Sequence, residues 1–99
     1  MWLCLNKGFL SIVRKGDCFV VRSRVKDHIT SYFPMNEILE NLGTDYQFRT
    51  FITKKEFEDF LKIIPDEISY DNFKDSVEDG KLHKFYGDIW SFGYVYLGD

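Results

Sequence analysis

The run GFLSIVRKGDCFVVRSR, residues 8–24, constrains the fold most. Two stretches rich in β-branched and aromatic residues, Phe9 to Arg14 and Cys18 to Arg24, flank the tripeptide KGD. A short loop holding Gly and Asp between such runs predicts a β-hairpin. Leu10 and Ile12 alternate with Ser11 and Val13. Arg22 and Arg24 share the parity of Val20, so one face of the second strand becomes basic toward its end. Upstream, WLCL closed by the turn-like NKG predicts a third strand in a meander.

The period then changes. Val25, Ile29, Tyr32 and Phe33 predict a short helix stopped by Pro34. A strand is expected from Asn36 to Asn41, although NEILEN also reads as a helical turn. LGTD supplies a turn into a strand with Tyr46, Phe48, Thr50 and Ile52 on one face and Gln47, Arg49 and Phe51 on the other. Thr53 and Glu56 form an S/T-x-x-E capping box, in which each residue satisfies the other's backbone N–H. Phe57, Phe60, Leu61 and Ile64 follow as a helical stripe, with Pro65 as the expected end.

YDNFKDSV, residues 70–77, reads as a further helix. Ser69 or Asp71 is its N-cap, Tyr70, Phe73 and Val77 face inward, and Asp71, Asn72, Lys74 and Asp75 face out. A last helix spans about Lys81 to Tyr96. Leu82, Phe85, Tyr86, Ile89, Trp90 and Phe92 give it an apolar face wide enough to be largely buried. Gly87 and Gly93 suggest close approach of another element. The expected fold is therefore α+β: an antiparallel sheet with helices packed on one face, ferredoxin-like (split βαβ), with extra C-terminal helices. Phe57, Phe60, Phe73, Ile89 and Trp90 are the expected core.

Ninety-nine residues predict a single domain over 1–99. With 44% hydrophobic and 18% aromatic residues the chain can bury a core, which argues against disorder. Cys4 and Cys18 are too few for a disulfide framework and are expected as buried, reduced thiols in strands. MWLCLNKG lacks the basic and apolar regions of a signal peptide, and no run approaches about 20 apolar residues. A cytoplasmic protein with no membrane contact is the expectation, and a homodimer is compatible with it.

Several stretches, namely the MW start, GFLSIV, TDYQFR, YDNFKDSV and the late IW, occur in this order along most of the chain. Together they resemble an uncharacterised family of roughly 100-residue bacterial and phage-associated proteins. The resemblance implies a compact intracellular domain of bacterial or phage origin. It transfers no activity, cofactor or catalytic residue.

Charge is segregated. The chain carries a net −3, but residues 1–34 hold +4 and residues 35–99 hold −7. Such asymmetry concerns partners rather than fold. The leading expectation is a non-catalytic protein-binding module, of the inhibitor or immunity type. It would set an acidic face of Asp71, Asp75, Glu78 and Asp79 against a basic protein. One alternative is nucleic-acid binding through a basic patch of Arg14, Lys15, Arg22, Arg24 and Lys26, with Phe19 and Tyr32 nearby in sequence. A pI of 5.3 weighs against it. A second alternative is a small enzyme using Tyr70, Asp71, Asp75 and His83. No cofactor motif occurs. Cys4, Cys18, His28 and His83 lack the short spacings of a zinc site, so no metal is expected.

Overall fold

The computed structural model describes residues 1–40 and 44–98. Five strands, β1 (Trp2–Leu5), β2 (Gly8–Lys15), β3 (Cys18–Ser23), β4 (Leu39–Glu40) and β5 (Phe48–Thr53), form one sheet in the order β1-β2-β3-β5-β4. Every neighbouring pair is antiparallel. The helices are α1 (Lys26–Thr30), α2 (Lys54–Glu67) and α3 (Gly80–Leu97), with a 3₁₀ turn at Lys74–Ser76. The fold is α+β, as the sequence predicts. The strand order is not the expected split βαβ. That arrangement sets two strands parallel across a helical crossover, whereas β5 returns antiparallel to β3 and no pair among the described strands is parallel.

The hairpin turns at Gly16, whose φ of 61° suits glycine. Opposite residues in the register share a face. Leu10, Ile12, Val21 and Ile52 point to one side, where Ile29 of α1, Phe33 and Phe60 of α2 close over them. Phe57 packs on Phe19 with ring centroids 4.9 Å apart. The capping box forms as expected: the Glu56 N–H donates to Thr53 Oγ1 and the Thr53 N–H to Glu56 Oε1, both at 3.1 Å. α2 nevertheless runs two residues past Pro65. Pro65 lies in the last turn, and the Ile68 N–H closes the end on the Pro65 carbonyl at 3.3 Å. α1 is shorter than its apolar spacing suggests. Beyond Thr30 the Phe33 N–H still reaches the Ile29 carbonyl at 2.8 Å, and the chain turns toward Pro34 without further helix. β4 covers only Leu39–Glu40 of the strand expected over 36–41; Asn41 and the Leu42–Gly43 part of the expected turn lie outside the described residues.

α1 and α2 pack on one face, as expected, and the extra C-terminal helix, α3, covers only a corner of the other. Phe9 points there, and α3 packs on it through Phe85, with centroids 5.0 Å apart. Val77, Leu82 and Tyr86 form a second, smaller core with Phe9 and Phe73. The Tyr86 hydroxyl faces two carbonyls of the β1–β2 turn, Leu5 and Gly8, at 2.8 Å each, and shares its proton between them. Burial holds this phenol far above its ordinary range, so it stays a donor.

Three expectations fail for one reason, incomplete cover. Cys4 is exposed and Cys18 half-buried, because both point to the open face. Ile89 and Trp90 are not core; they are 40% and 57% exposed. A Cβ at Gly87 or Gly93 would meet nothing within 4 Å, so neither glycine serves a close approach. YDNFKDSV is no helix beyond the Lys74–Ser76 turn. Neither Ser69 nor Asp71 caps it. Asn72 Oδ1 accepts the Asp75 N–H at 3.2 Å and Ser76 Oγ donates to the Phe73 carbonyl, local bonds that compete with helix. Within this stretch Val77 is buried, and Phe73 packs on Tyr86.

Two substitutions test this packing. Phe60→Ala should cost about 3–5 kcal/mol in a denaturant melt, and Trp90→Ala under about 1 kcal/mol, because only the first empties a core. Gly8→Ala should cost about 1–3 kcal/mol by overpacking. Its Cβ would stand 2.8 Å from His28 Cβ and 2.9 Å from His28 Cα, so backbone must move. A neutral Gly8→Ala melt would refute the close approach of α1 to β2.

Candidate functional site

α3 is held at its N-terminal half and overhangs beyond it. Asp79 is its N-cap, accepting the Leu82 N–H at 2.9 Å. From Ile89 to Leu97 no residue is charged. Seven large apolar side chains in that run are exposed, from 40% at Ile89 to 88% at Leu97. Trp90, Tyr94 and Leu97, at i, i+4 and i+7, form one flank; Phe92 and Tyr96 form the other. The rings pair along each flank, Trp90 with Tyr94 at 5.8 Å and Phe92 with Tyr96 at 6.2 Å. The Lys74 ammonium sits 4.2 Å from the Trp90 ring centroid. Below Trp90 a cleft of about 500 Å³ is lined by Cys4, Asp71, Phe73 and Ile89, among others.

The acidic residues singled out from the sequence are all exposed, but they do not share one cleft. Asp71 lines the cleft beside Trp90, while Glu78 and Asp79 line another with Asn6 and Lys7. Asp75 uses its backbone N–H in the 3₁₀ turn. The residues of the enzyme alternative have separate structural roles. Tyr70 stacks on Phe73 at 5.7 Å, and His83 Nδ1–H donates to the Lys74 carbonyl at 2.9 Å. Among the described residues, no three His, Cys, Asp or Glu side chains are grouped so as to hold a metal ion. No described helix is long and apolar enough to cross a membrane.

The basic patch is divided. Arg14 pairs in register with Phe19 on the helix-covered face, and its Nε–H donates to the Gly16 carbonyl at 3.0 Å. Lys26 starts α1, and Lys15 lies at the hairpin end of the open face. Arg22 and Arg24 do come together, with their guanidinium carbons 4.8 and 5.2 Å from the Tyr46 ring centroid. Phe19 and Tyr32 are committed to packing on α2, so Tyr46 is the aromatic partner. Arg49, which sequence reasoning left out, stands directly opposite Arg22. Its parity was readable, but its register partner was not.

A groove of about 650 Å³ opens between β2, the Arg24–Val25 link, α1 and the start of α3. Phe9, Val25, Leu82 and Phe85 give it apolar walls, and Arg24, His28, Asp79 and Lys81 supply polar groups. The Phe9 N–H donates to His28 Nδ1 at 3.2 Å, which fixes the neutral ring with its proton on Nε2. No protein-family model matches the chain, and no curated protein or solved structure matches it.

Burial holds the His28 imidazole below its ordinary value of 6.5, against the opposing pull of Asp79 and Asp27. A histidine lowered in the folded state stays neutral there while the unfolded chain takes up the proton first. Its contribution is therefore full above about pH 6.5 and is lost as pH falls toward the lowered folded value. Thermal melts between about pH 7 and pH 5 should show a falling midpoint that is flatter in His28→Gln. Equal slopes would show that His28 does not titrate differently on folding.

Proposed function

We propose that the protein is a small non-catalytic binding module that inserts the overhanging end of α3 into an apolar groove of a basic partner protein. The observation that carries this reading is the uncharged, exposed run Ile89–Leu97 on a helix anchored only at its other end. Contiguous exposed apolar surface of this kind marks interaction sites. Aromatic side chains offer about 150–250 Å² each, so the run approaches the roughly 800 Å² per partner of a standard interface. Trp90, Tyr94 and Leu97 have the i, i+4, i+7 spacing of a helix laid in a groove.

Charge selects the occupant. Helices that lie on lipid carry Lys and Arg along the polar face, and α3 carries none after Lys84. A second copy would bring the same acidic surroundings, Asp71 beside Trp90 and the net −7 of residues 35–99, against themselves in an isologous contact. A basic rim complements them, and the acidic residues would then act on the association rate.

The test is photocrosslinking from Tyr94 and Tyr96 positions in the native host. The captured protein is then purified and its direct binding measured. Binding should fall by about 100-fold or more in Trp90→Ser/Tyr94→Ser/Leu97→Ser, as loss of hot-spot anchors would give. Reversal of Asp71 and Asp75 to Lys should slow association, with an effect that shrinks in salt. A concentration-dependent dimer abolished by the triple variant, or equal binding to neutral lipid vesicles, would overturn this reading.

A further inference from the structure

We infer that the open sheet face carries an oxyanion site, formed by Arg22, which Ser11 positions, and Arg49, that takes a phosphate group. The site is independent of α3. The register places Trp2, Ser11, Arg22, Arg49 and Leu39 in one row across all five strands, pointing to the face that the helices leave largely open. Two cations directly opposite on neighbouring strands repel each other. No ion pair among the described residues offsets that. The ion pairs among the described residues are Lys54–Glu58, Lys55–Asp59 and Lys84–Asp88, all on helix surfaces; none involves an arginine.

The guanidinium donors are also underused. Each guanidinium has five N–H groups. Arg22 Nη2 donates to Ser11 Oγ at 2.8 Å, and Arg49 Nη2 to Thr44 Oγ1 at 3.3 Å. The Nε atoms of both are buried and have no acceptor. Arg24 adds a third cation against the shared Tyr46 ring. Arg22 and Arg24 meet at Tyr46, Arg49 stands opposite Arg22, and none of the three is ion-paired to a carboxylate among the described residues, an arrangement that an external oxyanion completes through forked, charge-assisted bonds. A tetrahedral phosphate can accept from both guanidinium groups at once, while Ser11, buried beneath Arg22, accepts from its Nη2 and holds that guanidinium in place.

The surroundings extend the argument to the source of the phosphate. Trp2 is 71% exposed in the same row, and Phe51, one row away, is 49% exposed. Rings flanking a cationic row offer base-stacking platforms beside a backbone phosphate. Free phosphate and the backbone of a single-stranded nucleic acid share the chemistry at the arginines. Only the second gains from the rings.

The experiment follows arginine Nε–H signals by NMR in the full chain during titration with inorganic phosphate at constant ionic strength, with chloride as the control. The Arg22 and Arg49 signals should move together. Arg14, on the opposite face with its Nε–H already bonded to Gly16, should not. Arg49→Gln should weaken phosphate binding by about tenfold or more, and Arg49→Lys by less, since a charge remains without the fork. If the glutamine variant does not fold, the titration of the unchanged chain still decides. A second arm uses a ten-nucleotide single strand. Affinity at least about 30-fold above that of phosphate, reduced in Trp2→Ala, identifies a polynucleotide; equal affinity identifies a small phosphate. Stationary Arg22 and Arg49 signals in both arms, or an equal movement of Arg14, overturns the site.

Discussion

The architecture depends on Gly8. It opens β2, and α1 comes so near that a Cβ there would collide with the backbone of His28. Its carbonyl, with that of Leu5, receives the Tyr86 hydroxyl from α3. The residue after it sends its N–H to His28. Three elements far apart in sequence thus meet on one residue without a side chain. The contact sets where α1 crosses the sheet end, and with it the width of the groove beside His28. It also fixes α3 by a point near its middle, since Tyr86 is the last fully buried side chain of that helix. Beyond Tyr86 no described side chain of the helix is buried.

From that anchor the sheet acquires two unlike faces. One is closed by α1 and α2 around an aliphatic and aromatic core. Polar groups buried in the sheet are satisfied locally: Thr50 Oγ1 donates to the Glu37 carbonyl at 2.8 Å and Ser23 Oγ to the Val25 carbonyl at 2.6 Å. On the open side Ser11 is only 1% exposed, yet it lies under an arginine rather than a helix. There the sheet is shielded by long side chains, whose charged ends remain to act on something outside. The radius of gyration, 14.3 Å, sits a little above the about 13 Å of a compact chain this long, in keeping with a helix that overhangs its support.

Local signals in the sequence were legible and non-local ones were not. The Gly16 hairpin, the Thr53–Glu56 box and the alternation through Thr50 and Ile52 depend on neighbours within a few residues, and all three appear where expected. The apolar breadth of α3 was legible too, but breadth does not say whether protein covers it. Ile89 and Trp90 carry the pattern of core residues and stand at a surface. Register is non-local in the same way. Parity put Arg22 on one strand face and Arg49 on another, yet only the antiparallel pairing of β3 with β5 sets them opposite each other. YDNFKDSV failed for a third reason: apolar spacing favoured a helix, while Asn72 and Ser76 offered the backbone nearer partners.

The charge asymmetry of the chain takes on meaning at this level. Residues from the first third build β1–β3 and supply Arg22 and Arg24 to the open face. Residues from the last third build the turn and α3, with Asp71 beside Trp90 and Asp79 at the helix start. Both regions lie on the same side of the sheet. Between them runs an aromatic ridge, Trp2 on Phe9 at 6.1 Å and Phe9 on Phe85 at 5.0 Å. Arg24 and Asp79 both line the His28 groove, yet they form no ion pair. Exposed charges are screened within about 8 Å at physiological ionic strength. The three rings set the Arg22–Arg49 row and the acidic helix base apart along the open face, and salt weakens what coupling between them remains. A net −3 averages over these two surfaces and describes neither of them.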